Sequence, residues 1–172
     1  MSITTQEYKV IVNEYGTIKW YQNGQFHRLD GPAVIYPNGD KVWYKDGNIH
    51  RIDGPAIECV NGDKYWWNNN KRHRLDGPAI DCVNGHKEWY QNDKRHRLDG
   101  PAVEYINGHK GWCQNGKRHR LDGPAVEYEN GIVEYWINGK KVKSLPPLVK
   151  EVTIAELEKM FNCIVKVVKG KK

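Results

Sequence analysis

His96-Arg97-Leu98-Asp99-Gly100-Pro101-Ala102-Val103-Glu104-Tyr105-Ile106-Asn107-Gly108-His109-Lys110-Gly111-Trp112-Cys113-Gln114-Asn115-Gly116-Lys117-Arg118 is one period of a tandem repeat. The heptapeptide that opens it begins again at His27, at His50 (with Ile52 for Leu), at His73 and at His119, always in steps of 23 residues without insertion. A fixed period of this kind marks an array of supersecondary units, each completed by its neighbours.

Two turn signals keep the same phase. One series is Tyr15-Gly16, Asn38-Gly39, Asn61-Gly62, Asn84-Gly85, Asn107-Gly108 and Asn130-Gly131. The other is Asn23-Gly24, Asp46-Gly47, Asn69-Asn70, Asn92-Asp93, Asn115-Gly116 and Asn138-Gly139. Asn-Gly and Asp-Gly tolerate positive φ at both central positions, which predicts type I′ hairpin turns in both series. Between the turns lie short alternating segments such as Ala102–Ile106, with Val103 and Tyr105 on one face and Glu104 on the other. The segment after each first turn carries an aromatic pair or its remnant: Trp20-Tyr21, Trp43-Tyr44, Trp66-Trp67, Trp89-Tyr90, Trp112-Cys113, Tyr135-Trp136. Neighbours on a strand face opposite ways, so Trp20, Trp43, Trp66, Trp89 and Trp112 form a ladder on one side. The prediction is an all-β repeat, an elongated twisted antiparallel ribbon of hairpins advancing roughly 10 Å per repeat.

Composition agrees with that reading. Leu, Ile, Val and Phe together are only 37 of 172 residues, which excludes a Leu-rich helical bundle. Seven Trp and ten Tyr exclude a disordered chain and predict an aromatic core. There is no apolar run long enough to span a membrane, and the first residues predict no secretory signal. The net charge of +6 is uneven: residues 1–140 carry +1 and residues 141–172 carry +5. The repeats themselves are therefore nearly neutral, which weakens purely electrostatic nucleic-acid binding by them.

Residues 8–142 resemble the MORN family (membrane occupation and recognition nexus) in a variant form. The matching stretch runs from Asn107-Gly108 through Trp112 and Gly116 to His119. Where that family usually has Gly-x-Gly after the His, this chain has Arg-Leu-Asp-Gly-Pro-Ala. Similar arrays are found in proteins of tailed phages and giant viruses. The resemblance implies a β-hairpin half-pipe used for contacts with proteins and sometimes with lipids, and no enzymatic activity.

The array is expected over residues 1–142 with degenerate ends, followed by a C-terminal α/β cap with a basic tail over 143–172. Thr153 and Glu156 form a capping box, with Val152 and Leu157 at the staple positions, and predict a helix over about 154–162. Residues 163–169 read as a strand. This unit would cover the last open strand edge.

The heptapeptide His-Arg-x-Asp-Gly-Pro-Ala superficially resembles a catalytic loop. Five equal copies argue instead for structure, because an active site is one constellation with unequal roles. Arg28, Arg51, Arg74, Arg97 and Arg120 are expected to pair with Asp30, Asp53, Asp76, Asp99 and Asp122 of the same or a neighbouring repeat. His27, His50, His73, His96 and His119 read as a packed, hydrogen-bonded ladder. Rungs about 10 Å apart are too distant to share a metal ion. Cys59, Cys82, Cys113 and Cys163 form no Cys-x-x-Cys, so neither a metal nor a cofactor is expected. Their spacing also argues against disulfides, and reduced thiols point to the cytoplasm, that of the host if the protein is viral.

Trp20, Trp43, Trp66, Trp89 and Trp112, with Lys41, Lys64, Lys87 and Lys110 nearby, are the remaining candidates for an interaction face. Three readings apply to them: core, protein interface, and a nucleic-acid or nucleotide surface that stacks bases. The functional expectation is a non-enzymatic protein–protein interaction module, a phage or viral accessory protein that binds and inhibits or recruits a host defence factor. Nucleic-acid or small-nucleotide binding is the alternative. Peripheral membrane association through the basic tail ranks below it, and open ribbon edges leave room for a homodimer.

Overall fold

The structure is a computed structural model that describes residues 7–145. Among the described residues all regular structure is β, with no helix. Each inner repeat contributes four two-residue strands. In the repeat quoted above these are Val103–Glu104, Lys110–Gly111, Cys113–Gln114 and Lys117–Arg118. The first two belong to a 14-stranded antiparallel sheet that runs through every repeat, and the last two form a small side hairpin. Equivalent side hairpins stand at Tyr44–Lys45 with Asn48–Ile49, Trp67–Asn68 with Lys71–Arg72, and Tyr90–Gln91 with Lys94–Arg95.

The chain passes from the long sheet to the side hairpin at the Trp. The Trp112 N–H donates to the Ala125 carbonyl at 2.8 Å, and the Trp112 carbonyl accepts from His119 N–H at 3.1 Å. One residue on, the Cys113 carbonyl accepts the Arg97 N–H of the preceding loop at 3.1 Å. Backbone partners thus change from the following loop to the preceding one within two residues. Single bonds of this kind tie each side hairpin to its neighbour, as when Gly116 N–H donates to the Arg95 carbonyl at 2.9 Å.

The two turn series are of different type. In the side hairpins both central residues have positive φ, for example Asn115 at 52° with Gly116 at 80°, as type I′ requires. Asn70 (58°) and Asp93 (62°) occupy the glycine place in that conformation. In the other series only the Gly turns left-handed, from 79° at Gly131 to 95° at Gly62. Gly108 N–H donates to Tyr105 O and Tyr105 N–H to His109 O, both at 2.9 Å, which closes a three-residue loop ending in a left-handed Gly. The expectation of type I′ turns therefore holds for one series and is corrected for the other. The strand accordingly stops at Glu104, and Tyr105 opens the turn, 39% exposed.

The core is made of small residues. Ala33, Ala56, Ala79, Ala102 and Ala125 are all 0% exposed. Each sits where its backbone bridges two neighbouring strands: Ala102 N–H donates to Gly111 O at 2.8 Å while Ala102 O accepts from Trp89 N–H at 2.9 Å. Val34, Val42, Val103 and Val126 continue the buried row, joined by Tyr90 and Cys113. The Trp ladder is half-buried rather than enclosed, so the aromatic core expected from composition is an outer layer over an Ala and Val interior.

The terminal strands are longer. Lys9–Val12 pairs in full with part of Ile18–Gln22, and Val133–Ile137 pairs with Lys140–Val142. Cys163 and the helix and strand expected beyond residue 145 lie outside the described residues.

Candidate interaction surface

The Arg of the heptapeptide has three kinds of partner in every copy (Trp, Asp and the Pro carbonyl), and a strand Glu as a fourth at Arg51, Arg97 and Arg120. The guanidiniums of Arg28, Arg51, Arg74, Arg97 and Arg120 lie over the rings of Trp20, Trp43, Trp66, Trp89 and Trp112 at 4.3, 4.1, 3.9, 4.0 and 4.1 Å. Arg97 Nε donates to Asp99 Oδ1 at 3.0 Å, and its Nη1 donates to Pro101 O at 3.2 Å and to Glu104 Oε1 at 3.1 Å. On the side away from the Trp is Gly100, where a Cβ would stand 2.8 Å from Arg97 Cζ. The spacing of Arg, Asp, Gly and Pro is thus fixed by one planar cation sandwiched between an indole and a bare backbone. The pair closes within a single loop in all five copies. The hydrogen bond from Arg holds Asp30, Asp53, Asp76, Asp99 and Asp122 below the usual carboxylate range.

The His residues link successive units. His50, His73, His96 and His119 accept at Nδ1 from the backbone N–H of Asn69, Asn92, Asn115 and Asn138, at 3.3, 3.3, 3.2 and 3.1 Å. A backbone N–H only donates, so at His50 and His119 Nδ1 is the acceptor and the neutral ring carries its proton on Nε2. His73 and His96 Nδ1 also lie 3.1 Å from the Oδ1 of Asn92 and Asn115, an acceptor that pairs with a protonated Nδ1. His27 is the buried member of the series, with Nδ1 2.7 Å from Asp46 Oδ1.

Lys41, Lys64, Lys87 and Lys110 lie in a cross-strand row with carboxylates. Lys64 is in register with Glu58 and Asp81, Lys87 with Asp81 and Glu104, and Lys110 with Glu104 and Glu127. Lys41 stands between Ile35 and Glu58. Alternating signs directly across a ladder stabilise the sheet. They also make this row nearly neutral.

Between successive heptapeptide loops lie four equivalent grooves. In chain order they have volumes of about 680, 600, 620 and 520 Å³. In the third, loop 74–78 and loop 96–99 are the walls, with Trp89 and Gln91 between them. Each of the three inner loops is shared by two neighbouring grooves, so the grooves form a continuous row. Their rims carry Leu29, Ile52, Leu75, Leu98 and Leu121, which are 59, 86, 75, 74 and 50% exposed. Beside these stand the loop Asp carboxylates, 72–84% exposed, whereas their Arg partners are 22–23% exposed. The outermost groups are therefore apolar and anionic. Sequence reasoning passed over the Leu position. Its signal was an apolar residue held at one phase of every repeat, inside a loop where nothing requires it.

A second polar cluster was also missed. Glu88 projects from the inner row of the long sheet, with its side chain 9% exposed. It accepts from Arg95 Nε at 2.8 Å and Tyr90 OH at 2.8 Å, and its Oε1 lies 2.9 Å from His86 Nε2. Burial raises its carboxyl, but the hydrogen bonds from Arg95 and Tyr90 and the Arg95 charge outweigh that, and the net shift is downward. Glu134, two repeats on, repeats the arrangement with Trp136 Nε1 at 2.8 Å and Lys141 Nζ at 2.7 Å.

Cys59, Cys82 and Cys113 are free thiols, each raised by burial above the ordinary value. Among the described residues no group of His, Cys, Asp and Glu is arranged to hold a metal ion. No helix among them is long and apolar enough to cross a membrane. No family model matches this chain, and no curated protein matches it significantly.

Proposed function

We propose that this protein is a non-enzymatic interaction module, a MORN-like hairpin ribbon or half-pipe that presents one recognition face to a protein partner. The row of four equivalent grooves carries this reading. They recur in register with the repeat and are rimmed by exposed Leu or Ile and Asp that the fold does not enclose. Exposed large apolar side chains arranged in a stripe are a feature of association surfaces. Base stacking on the same Trp residues would need free ring faces, and the Arg guanidiniums occupy one face of each. The Lys residues that would hold phosphates already face carboxylates across the strands.

The partner is taken to be a host factor met by a phage or viral accessory protein, on the strength of the repeat resemblance alone. The test compares the full chain with a Leu75→Asp/Leu98→Asp variant as bait in host-cell lysate. A stoichiometric protein retained by the first and lost by the second supports the reading. Equal retention by both, or none by either, overturns it.

A further inference from the structure

We infer that the groove row binds a proline-rich, arginine-bearing segment in the polyproline II conformation, one helical turn per groove. This rests on the interaction-module reading and adds the class of partner.

Spacing selects the conformation. Two antiparallel strands per repeat set the groove interval at about 9.6 Å. A polyproline II helix repeats its facing residue every third position, about 9.3 Å along its axis. Across the three intervals between four grooves, the accumulated mismatch is about 1 Å. An α-helix returns to the same face after a heptad, about 10.5 Å, and accumulates nearly three times as much. An extended β-strand presents one face every second residue, about 6.6 Å, and falls out of step at once.

Chemistry selects the residues. The Trp edges and rim Leu side chains make an aromatic and aliphatic trough, the kind of surface on which a preformed proline helix packs with little ordering cost. Asp53, Asp76 and Asp99 stand on the shared walls with Oδ1 taken by the local Arg. The other oxygen is left for a ligand guanidinium, which matches carboxylates in planar geometry. His50, His73, His96 and His119 each border a groove, and no hydrogen bond joins their Nε2 atoms to the described residues; at His50 and His119 that atom carries the ring proton. A polyproline II backbone has all its carbonyls unpaired and supplies acceptors for those donors.

The test titrates the full chain with (Pro-Pro-Arg)5, with (Gly-Gly-Arg)5 of equal charge and length, and with a helical peptide bearing Arg and Leu at heptad spacing. Intrinsic Trp fluorescence and calorimetry give the affinities. The proline peptide is expected to bind at least tenfold more tightly than either control. Affinity should rise with each added triplet until four are present and then level off. Asp76→Asn/Asp99→Asn keeps the Arg hydrogen-bond acceptors but removes two charges, and should weaken binding at least fivefold. Equal binding of the proline and glycine peptides would reduce the effect to charge and overturn the inference. Preference for the helical peptide, or no binding of the proline peptide, would also overturn it. These results leave the broader module reading to the lysate comparison, which does not depend on peptide conformation.

Discussion

Arg97 has an indole on one side, a glycine on the other and acceptors around its edge, so each neighbour's identity is a separate physical demand. Gly100 has an ordinary φ, and its lack of a side chain matters only because Arg97 Cζ would be 2.8 Å from a Cβ. Gly100→Ala is therefore expected to displace the guanidinium from Trp89 and cost about 1–3 kcal/mol by chemical unfolding. In an Arg97→Ala background the same change should cost almost nothing. A double-mutant cycle reads this coupling directly, and additive costs would refute the sandwich. Glu88 makes a second residue-scale prediction. Its folded pKa is lowered, so the stability it adds is present above the unfolded carboxylate value of about 4.3 and is lost as pH falls through the folded value. Glu88→Gln should cost about 2 kcal/mol at neutral pH by leaving ionic hydrogen bonds with a neutral acceptor. The gap between the two proteins should close as denaturation is repeated towards pH 3. A constant gap would mean that Glu88 acts through shape alone.

At the scale of the hairpin, the departures from Asn-Gly are informative. Asn70 and Asp93 sit in a left-handed conformation that glycine would adopt without strain. Yet Asn70 Oδ1 accepts Ile49 N–H at 2.8 Å, and Asp93 Oδ1 accepts both Arg72 N–H at 3.1 Å and Arg72 Nε at 2.8 Å. These side chains fasten one unit to the unit before. Asp93→Gly should therefore destabilise the protein by about 1 kcal/mol despite relieving backbone strain, whereas an isolated hairpin with the same change would gain stability. Thermal melts of the full chain and of a hairpin peptide covering 88–97 test the two signs. The period, the hairpins and the pairing of Arg with Asp were legible in the sequence because each is a local pattern repeated in phase. The type of the first turn was not, since Asn38-Gly39 and Asn115-Gly116 are the same dipeptide; loop length and the bonds of flanking residues separate them. The chain bend at Trp112 was equally hidden, because it follows from which neighbouring loop supplies the next hydrogen bond. The groove row escaped notice because Leu98 looked like part of a structural motif. Only its exposure shows that the motif does not use it.

At the scale of the molecule, contacts among the described residues run almost wholly between adjacent units, since every strand pair there joins segments of the same or the next repeat. Such an array is close to one-dimensional, and its stability is a sum of unit and interface contributions. Removing residues 96–118 joins Arg95 to His119 and restores the repeat phase with one unit fewer. Every remaining loop keeps a Trp for its Arg, an Asn turn for its His and a neighbour for its Ala. The shortened protein should fold, keep its β circular dichroism, and lose about one sixth of its urea m-value in proportion to the surface no longer buried. Removing residues 97–118 instead shifts the following strand by one position and turns its buried row outward. That variant should lose cooperative unfolding or aggregate. If both deletions behave alike, the units are not independent modules, and long-range coupling along the sheet governs stability. If only the phase-preserving deletion folds, recognition reach becomes adjustable by repeat number: one groove fewer should shorten the longest peptide that still gains affinity by one triplet.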